Sequence, residues 1–247
     1  MLTGDADLEI LTSRAPTMAT LTPDAVHFSD VTVLQAAFEM RAAARTESLP
    51  SGLHPTNPPL LILLAWHVGA SPWGPFSMAQ ARVSCRSGVR PRGFVAGCIA
   101  DRGEAVAALS SQWGLPARLG TVSLRRRYDA TELEVGVDGV SACELRASGP
   151  EPLAPGDVQY SVTMTLARTT RGPRLVQVEP EYELEMVERV RPRLTSFDGA
   201  AWGEPALSPV HPVTATVGIG AVTIPRLRFV CRPDVLAFEG TEVVTYE

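Results

Sequence analysis

Proline and glycine interrupt this chain so often that long helices are excluded and strands should dominate. The 247 residues include 21 prolines and 20 glycines. Proline breaks helices and central strands because it lacks an amide hydrogen and fixes its own φ angle. Apolar and β-branched runs lie between these interruptions, at 31–37, 60–68 and 76–86. The pattern predicts a β-rich fold with few, short helices.

The remaining elements follow from local composition. Alanine-rich segments predict short helices, and a turn at Asp129-Ala130 predicts a hairpin. Two long runs near the middle of the chain are strand-like. The predicted helices are 38–45 and 104–112, the hairpin strands are 121–128 and 132–137, and the long strands are 159–168 and 174–189.

The domain organisation is expected to be simple. Residues 1–247 are predicted to form a single domain, with about the first 20 as a loose N-terminal arm because they show no clear period. No repeat of 20–50 residues is visible. The proline-rich stretch 152–156 is interpreted as a loop within one β-rich body.

Composition excludes several classes of function. A net charge of −5 gives no reason to expect nucleic acid as a partner, and Arg125-Arg126-Arg127 is the only basic cluster. The longest strongly apolar stretch, 60–68, is far shorter than the roughly 20 residues that span a bilayer. The N-terminus lacks the features of a secretory signal. We therefore expect a cytoplasmic protein that does not enter a membrane.

The cysteines give no sign of a metal site. They are scattered, with neither a CxxC pair nor a histidine at metal-ligand spacing, and buried reduced thiols are the expected outcome. No metal and no other cofactor is expected. The four are Cys85, Cys98, Cys143 and Cys231.

An ordered series of short motifs runs along the chain. A proline-bounded strand start at Pro59 is followed by Gly74, Gln80, a turn at Gly88-Val89, a strand at 94–100 and a turn at Asp101. The series ends in Leu115-Pro116-Ala117-Arg118-Leu119-Gly120, and a second block covers 203–238. In order and spacing this resembles the acetoacetate decarboxylase family. The resemblance implies an α+β fold, mostly antiparallel β, built as a barrel or cone with a flanking sheet and few short helices.

That family works through an imine between a lysine and a substrate ketone, yet this chain contains no lysine. The resemblance places the imine-forming lysine at Ala117 and its neighbouring lysine at Arg118. Family glutamates fall at Ser77 and near Leu64, and a family arginine falls near Ser29. Arginine cannot replace the amine as a nucleophile because its guanidinium stays protonated. The resemblance therefore implies a chemistry that does not use a Schiff base.

Strand periodicity extends the resemblance to a pocket. Leu64 and Trp66 share one strand face, and Ser77, Ala79 and Ala81 share another. If both faces line the family cavity, that cavity is small-walled and apolar and suits a bulky, largely hydrophobic ligand. The alternative is a filled core behind the same strands.

Polar and aromatic candidates complete the predicted site. Arg118 could hold a carboxylate or enolate in bidentate fashion, or lie on the surface after a helix end. His67 is the histidine considered as an acid or base, with a structural role as the alternative. Gln80 has a hydrogen-bonding role or is simply exposed. Trp66 and Trp113 form aromatic walls or belong to the core.

Three functions remain open at this level. The first is an enzyme that uses shape and hydrogen bonds to promote cyclisation, dehydration or isomerisation of a keto or polyketide-like intermediate in a biosynthetic pathway. The second is a small-molecule-binding protein without turnover, and the third is a structural subunit beside an active partner. A homo-oligomer is expected. The sequence does not name the substrate.

Overall fold

The chain folds around one extended, curled sheet. The computed structural model describes residues 2–246, and all the strands it assigns belong to one sheet. The helices are α1 (Leu8–Arg14), α2 (Ala42–Glu47), α3 (Gly103–Trp113) and α4 (Ala237–Gly240). The strands are β1 (Val26–Met40), β2 (His54–Pro55), β3 (Leu60–Ala70), β4 (Phe76–Ser87), β5 (Arg90–Ala100), β6 (Ala117–Leu119), β7 (Thr121–Arg126), β8 (Ala130–Val137), β9 (Val140–Leu153), β10 (Val162–Thr169), β11 (Gly172–Val178), β12 (Glu181–Phe197), β13 (Pro209–Ile224), β14 (Phe229–Cys231) and β15 (Thr241–Val243).

The strand order is β15-β14-β11-β10-β5-β4-β3-β1-β13-β12-β9-β8-β7, with β2 paired to β4 and β6 paired to β5. Neighbours are antiparallel except for β10–β5 and β5–β6, which are parallel. The terminal strand β7 lies against β3, β4 and β5. The sheet therefore curls back on itself, which is how a twisted sheet of this size encloses a core. The expected α+β fold, mostly antiparallel with few short helices, is confirmed.

The curled sheet has an apolar core on each side. On the concave side lies the inner core, which includes Leu63, Ala81, Val122, Leu145 and Val217. On the other side α3 and the strands near the C-terminus cover a second core. This helix-side core includes Leu64, Trp66, Leu109, Trp113 and Val178.

Several predicted elements are confirmed. The helix expected at 104–112 is α3, and the strands expected at 60–68 and 76–86 are β3 and β4. The predicted hairpin is the antiparallel pair β7–β8. None of the helices in the described residues is long and apolar enough to cross a membrane.

Two predicted elements were wrong. The helix expected at 38–45 starts later, at Ala42, because Phe38 and Met40 are buried and extend β1. Packing of these side chains overrides the helical tendency of the segment. The run 174–189 is two strands, β11 and β12, interrupted at Pro180, which cannot donate a ladder hydrogen bond.

The N-terminal residues are ordered, contrary to the loose arm expected. Asp7 caps α1 by accepting hydrogen bonds from the amides of Glu9 and Ile10 at 2.8 and 3.2 Å. The segment then runs beside the end of β10, where the Met18 amide donates to the Arg168 carbonyl at 2.8 Å. Met18 is buried in the helix-side core. These contacts bring the end of α1 to the edge of the cleft described next.

Candidate functional site

An open cleft of ≈ 700 Å³ lies beside the position to which the resemblance assigns the imine-forming lysine. Its volume is in the range of sites for small organic ligands. The walls are mostly small or apolar, and the only charged groups among the lining residues are arginines. The lining residues are Ser13, Arg14, Ala15, Pro16, Ala96, Gly97, Ser110, Pro116, Ala117, Arg118, Arg168, Ala200, Trp202, Gly203 and Pro205.

The end of α3 sets the position of the cleft wall. Gly114 ends the helix in a left-handed conformation, with φ of 66°, and its amide donates to the carbonyls of Leu109 and Ser110. A side chain at Gly114 would stand 2.7 Å from the Cβ of Ala167. The chain then turns through Pro116 into β6, which pairs in parallel with β5.

A loop from β12 forms the opposite wall. Trp202 is buried, and its indole Nε1 donates to the Ala142 carbonyl at 3.1 Å. Gly97 allows the loop to approach β5 closely, since a Cβ there would stand 2.3 Å from the Trp202 carbonyl oxygen. Glycine at position 97 therefore fixes the distance between the two walls.

Three guanidinium groups converge on the cleft, and each is held by a backbone carbonyl. Arg118 donates to the carbonyl of Ala201. Arg14 donates to that of Gly203 at 3.1 Å, and Arg168 donates to that of Ala15 at 3.1 Å. Arg118 is half-buried, whereas Arg14 and Arg168 are exposed at the rim.

Among residues 2–246 the cleft lining carries positive charge and no carboxylate, and the acidic residue Glu204 lines an adjoining pocket that shares Arg14 and Gly203 with the cleft. Within residues 2–246, none of these three arginines lies within 4.0 Å of a carboxylate, and no lining residue is acidic. Guanidinium groups retain donors after binding one carbonyl, and they match the planar fork of a carboxylate. The arrangement is suited to binding an anionic group next to apolar surface. The other side-chain polar groups of the lining residues are the Ser13 and Ser110 hydroxyls and the Trp202 indole N–H, which already donates to the Ala142 carbonyl.

Five of the predicted site residues pack against the helix-side core. Leu64, Trp66 and Trp113 are buried within it, Gln80 lies directly opposite Leu64 on the neighbouring strand, and Ala117 packs against its edge. Ala117 is paired with Cys98 and Cys98 with Gln80, so the three positions follow one another across the sheet. Ala117 and Arg118, which follow each other in sequence, both line the open cleft as well.

Sequence reasoning did not identify Arg82 as a site residue, although this arginine places a positive charge inside the largely apolar helix-side core. Arg82 lies on the same face of β4 as Gln80 and is fully buried. Its Nε donates to Gln80 Oε1 at 2.7 Å, and its Nη1 donates to the Ser161 carbonyl at 3.0 Å. Exposure of Gln80, one of the two expected outcomes, is excluded because the side chain is 2% exposed. An arginine in the middle of a buried β run was the available signal.

The expectation that both strand faces line one cavity was wrong. Ala79 and Ala81 pack in the inner core, on the other side of the sheet from Leu64 and Trp66. In the antiparallel pair β3–β4, Leu64 is opposite Gln80, and Ala65 is opposite Ala79. Directly opposite residues share a face, so the Leu64 face continues through Gln80 and not through Ala79. At Ala79 and Ala81 the filled-core alternative holds.

His67 and Ser77 form a pair away from the cleft. His67 is exposed, and its Nδ1 lies 3.0 Å from Ser77 Oγ. The Ser77 amide donates to Asp101 Oδ1 at 2.7 Å, so the carboxylate holds the strand and does not orient the imidazole. Neither His67 nor Ser77 lines the arginine cleft.

The four cysteines are unbridged and buried. Burial raises the pKa of the Cys85, Cys98 and Cys143 thiols to about 12, so they are neutral at physiological pH and poor nucleophiles. Among the described residues, no group of three or more His, Cys, Asp or Glu side chains is placed to hold a metal ion.

Comparison with known proteins agrees with this architecture. The family model for acetoacetate decarboxylase matches residues 12–206. No curated protein matches the chain in a sequence search. Among solved structures, acetoacetate decarboxylase from Legionella pneumophila has a TM-score of 0.73 and 16% sequence identity, over 86% of this chain and 90% of that chain.

Two further structures show the same fold. The enduracididine biosynthesis enzyme MppR, complexed with the condensation product of pyruvate and imidazole 4-carboxaldehyde, has a TM-score of 0.69 and 19% identity, over 84% of this chain and 89% of that chain. An acetoacetate decarboxylase-like enzyme from Sphingomonas wittichii RW1 has a TM-score of 0.68 and 16% identity, over 91% of this chain and 97% of that chain. Since the family model covers most of the chain, this protein belongs to the acetoacetate decarboxylase family.

Proposed function

We propose that this protein is an enzyme that binds a bulky, largely apolar keto compound through an anionic group in the arginine cleft, and converts it without forming an imine. The observation that carries the proposal is the convergence of Arg14, Arg118 and Arg168 on one cleft whose described lining residues include no carboxylate. Cyclisation, dehydration and isomerisation are the reaction classes that suit it. The pathway would be biosynthetic.

Charge and shape together define the substrate class. The apolar wall formed by Pro116, Ala117, Ala200, Trp202 and Pro205 can cover a hydrocarbon or aromatic body. The guanidinium groups would hold the carboxylate or enolate at one end. A neutral ligand of the same shape would leave these cations unmatched, so the cleft should discriminate in favour of anions.

The catalytic contribution would be positioning and electrostatic stabilisation. Arg118 is the half-buried cation and keeps donors free beyond its bond to the Ala201 carbonyl. Such a group can stabilise negative charge that develops on an enolate oxygen. Holding a flexible chain in one reactive conformation lowers the barrier further. His67 takes no part in this scheme, because it lies outside the cleft.

The neighbouring structures support a keto-acid substrate on this fold. A further structure of MppR is complexed with pyruvate itself, which is a 2-oxo acid. The same fold therefore accommodates an oxo acid in an enzyme named for biosynthesis and not for decarboxylation.

The test uses 2-oxo-4-phenylbutanoate, which combines a keto acid with an apolar body. In D₂O, a solvent or buffer base removes a C3 proton, Arg118 stabilises the enolate, and the solvent returns a deuteron to C3, so ¹H NMR follows the loss of the C3 signal. We expect exchange faster than in buffer and slower in Arg118→Met. Borohydride added during the reaction should leave the mass unchanged on every internal residue. An exchange rate that is the same in Arg118→Met, or a borohydride-reduced substrate adduct on an internal residue, would contradict the proposal.

A binding protein without turnover is the second candidate. It is favoured by one observation: the cleft lining contains no His, Asp, Glu, Cys, Tyr or Lys to act as general base or acid. In that case 2-oxo-4-phenylbutanoate should bind with an affinity that depends on Arg118, while its C3 protons exchange at the rate measured in buffer alone.

A further inference from the structure

A second cation lies inside the protein, apart from the arginine cleft. Arg82 on β4 is 0% exposed and does not line the cleft. Its Nε and Nη1 are hydrogen-bonded to Gln80 and Ser161, but its Nη2 has no partner among the described residues. An arginine in such a position normally pairs with a carboxylate, because burying an unmatched charge is strongly destabilising.

Among residues 2–246, no carboxylate lies within ion-pair distance of Arg82 to balance this charge. Burial lowers the pKa of Arg82 to about 10, which leaves the guanidinium protonated at neutral pH. Burial also raises the pKa of Cys98 to about 12 and raises that of Tyr182 despite the nearby charge of Arg82. The groups that face Arg82 are therefore neutral, and none of the described acidic residues forms an ion pair with it.

The polar atoms around Arg82 are rich in donors that lack acceptors. The Ser161 hydroxyl is buried and unpartnered among the described residues. The Tyr182 hydroxyl faces the Trp66 indole and the Tyr160 hydroxyl faces Thr216, without full hydrogen-bond geometry in either case. The rings of Tyr160 and Tyr182 stack at 4.2 Å, and Trp66 packs against Tyr182 at 6.0 Å between ring centroids. Leaving a buried polar group without a hydrogen-bond partner destabilises the folded state. The concentration of such groups beside an unmatched cation indicates a missing partner, since native interiors satisfy most buried polar groups.

We propose that Arg82, Ser161, Tyr160 and Tyr182 form a second binding site, here named the Arg82 site, for one small planar carboxylate. A carboxylate supplies one negative charge and about four acceptor positions, which match Nη2 and the neighbouring hydroxyls. A water molecule could accept hydrogen bonds there but would leave the charge unmatched. Because Leu64 and Trp66 are buried in the same core, the expected ligand is as small as formate, acetate or a short 2-oxo acid.

The Arg82 site has a route to solvent. Tyr160 and Ser161 are only partly buried, and a surface pocket of ≈ 350 Å³ lies next to them. Its lining includes Gln35, Gln159 and Thr216, together with two charged residues of opposite sign, Asp157 and Arg189. Gln35 Oε1 accepts from the Ser161 amide at 3.4 Å, and its Nε2 donates to the Gln159 carbonyl at 3.3 Å. Movement of the Tyr160 side chain would connect this pocket with the guanidinium.

The test follows the arginine Nε–H signals of the ¹⁵N-labelled protein by NMR during titration with sodium acetate, at ionic strength held constant with sodium chloride. The Arg82 signal is assigned by its loss in Arg82→Met. This variant should fold with unchanged or higher thermal stability, because replacing a buried charge by an apolar group of similar length is often neutral or stabilising.

We expect the Arg82 signal to shift and saturate with acetate. Tyr182→Phe, which removes only a hydroxyl, should weaken the binding about tenfold, a loss of one hydrogen bond to a charged group. Arg118→Met is the matched control and should leave this titration unchanged, which separates the Arg82 site from the cleft of the proposed function.

Two outcomes would overturn the inference. One is an Arg82 signal that does not move at about 100 mM acetate, a concentration that would nearly fill a millimolar site. The other is an affinity that falls in Arg118→Met but not in Tyr182→Phe, which would assign the bound acetate to the open cleft. If Arg82→Met fails to fold, Arg82→Lys supplies the assignment, because it removes the same Nε–H signal and keeps the positive charge, so both outcomes stay readable.

Discussion

Replacing Arg118 by methionine should reduce the binding affinity for anionic ligands far more than the affinity for neutral ligands of the same shape. Arg118 is half-buried and is fixed by its bond to the Ala201 carbonyl, so its remaining donors are already oriented toward the cleft. A hydrogen bond to a charged group contributes about 1.5–3 kcal/mol, which corresponds to a loss of roughly 10- to 150-fold in affinity. Arg118→Lys should retain only part of the affinity for anionic ligands, because an ammonium group lacks the planar pair of donors of a guanidinium.

The assay is isothermal titration calorimetry with a ligand pair, 4-phenylbutanoate and 4-phenylbutan-1-ol, that differs only in the charged end. Arg118→Met should reduce the affinity of the carboxylate and change that of the alcohol by less than about twofold. Arg125→Met is the matched control, since Arg125 is an exposed arginine on β7 outside the cleft. Raising the salt concentration from about 0.05 to 0.5 M shortens the Debye length from about 14 to 4 Å. The affinity for 4-phenylbutanoate should then fall, because Arg14 and Arg168 are exposed and their charges are screened. Equal losses for both ligands would refute the reasoning, since Arg118 would then act through packing alone.

Three further predictions concern stability. Ala79→Phe should lower the free energy of unfolding by about 1–3 kcal/mol or more in chemical denaturation, without changing ligand affinity, because the site is filled core; blocked binding with intact stability would contradict this. Gly97→Ala should both destabilise the protein and lower the affinity for 4-phenylbutanoate, because the new Cβ would stand 2.3 Å from the Trp202 carbonyl oxygen of the facing loop. An unchanged affinity would show that this wall does not shape the site. The folded state keeps the thiols of Cys85, Cys98 and Cys143 protonated up to a pKa of about 12, against the ordinary value of 9.0. The unfolded chain releases these protons first, so their stabilisation is complete below about pH 9 and is lost as the pH rises toward 12, by at most about 1.4 kcal/mol per pH unit for each thiol. Unfolding measured between pH 8 and 10.5 checks this, and Cys→Ser replacement should flatten the dependence.

The fold was predictable because its signals are local. The apolar run of β3, the alternating run of β4 and the alanine-rich α3 are each visible within a dozen residues. The start of α2 was not predictable from local sequence. Whether Phe38 and Met40 continue the strand β1 depends on the distant segments that bury them. The order of N-terminal residues likewise depends on their contact with the end of β10.

The candidate site was only partly predictable, because it depends on register and on long-range approach. Pairing of Leu64 with Gln80 is set across a turn, and a shift of one residue would have placed Ala79 on that face instead. Arg14 and Arg168 are separated from Arg118 by about a hundred and by fifty residues of chain, and nothing in the local sequence brings them together. Arg118 was identified through the family resemblance, whereas the cluster around it required the fold.

The most direct test is a crystal structure of the protein with 4-phenylbutanoate. We predict the carboxylate at hydrogen-bonding distance, about 2.7–3.0 Å, from the Arg118 guanidinium, with the phenyl ring against Pro116 and Trp202 and no covalent bond to the protein. A ligand bound elsewhere, or bound in the cleft with its carboxylate turned to solvent and away from Arg118, would contradict the proposed role of the cleft.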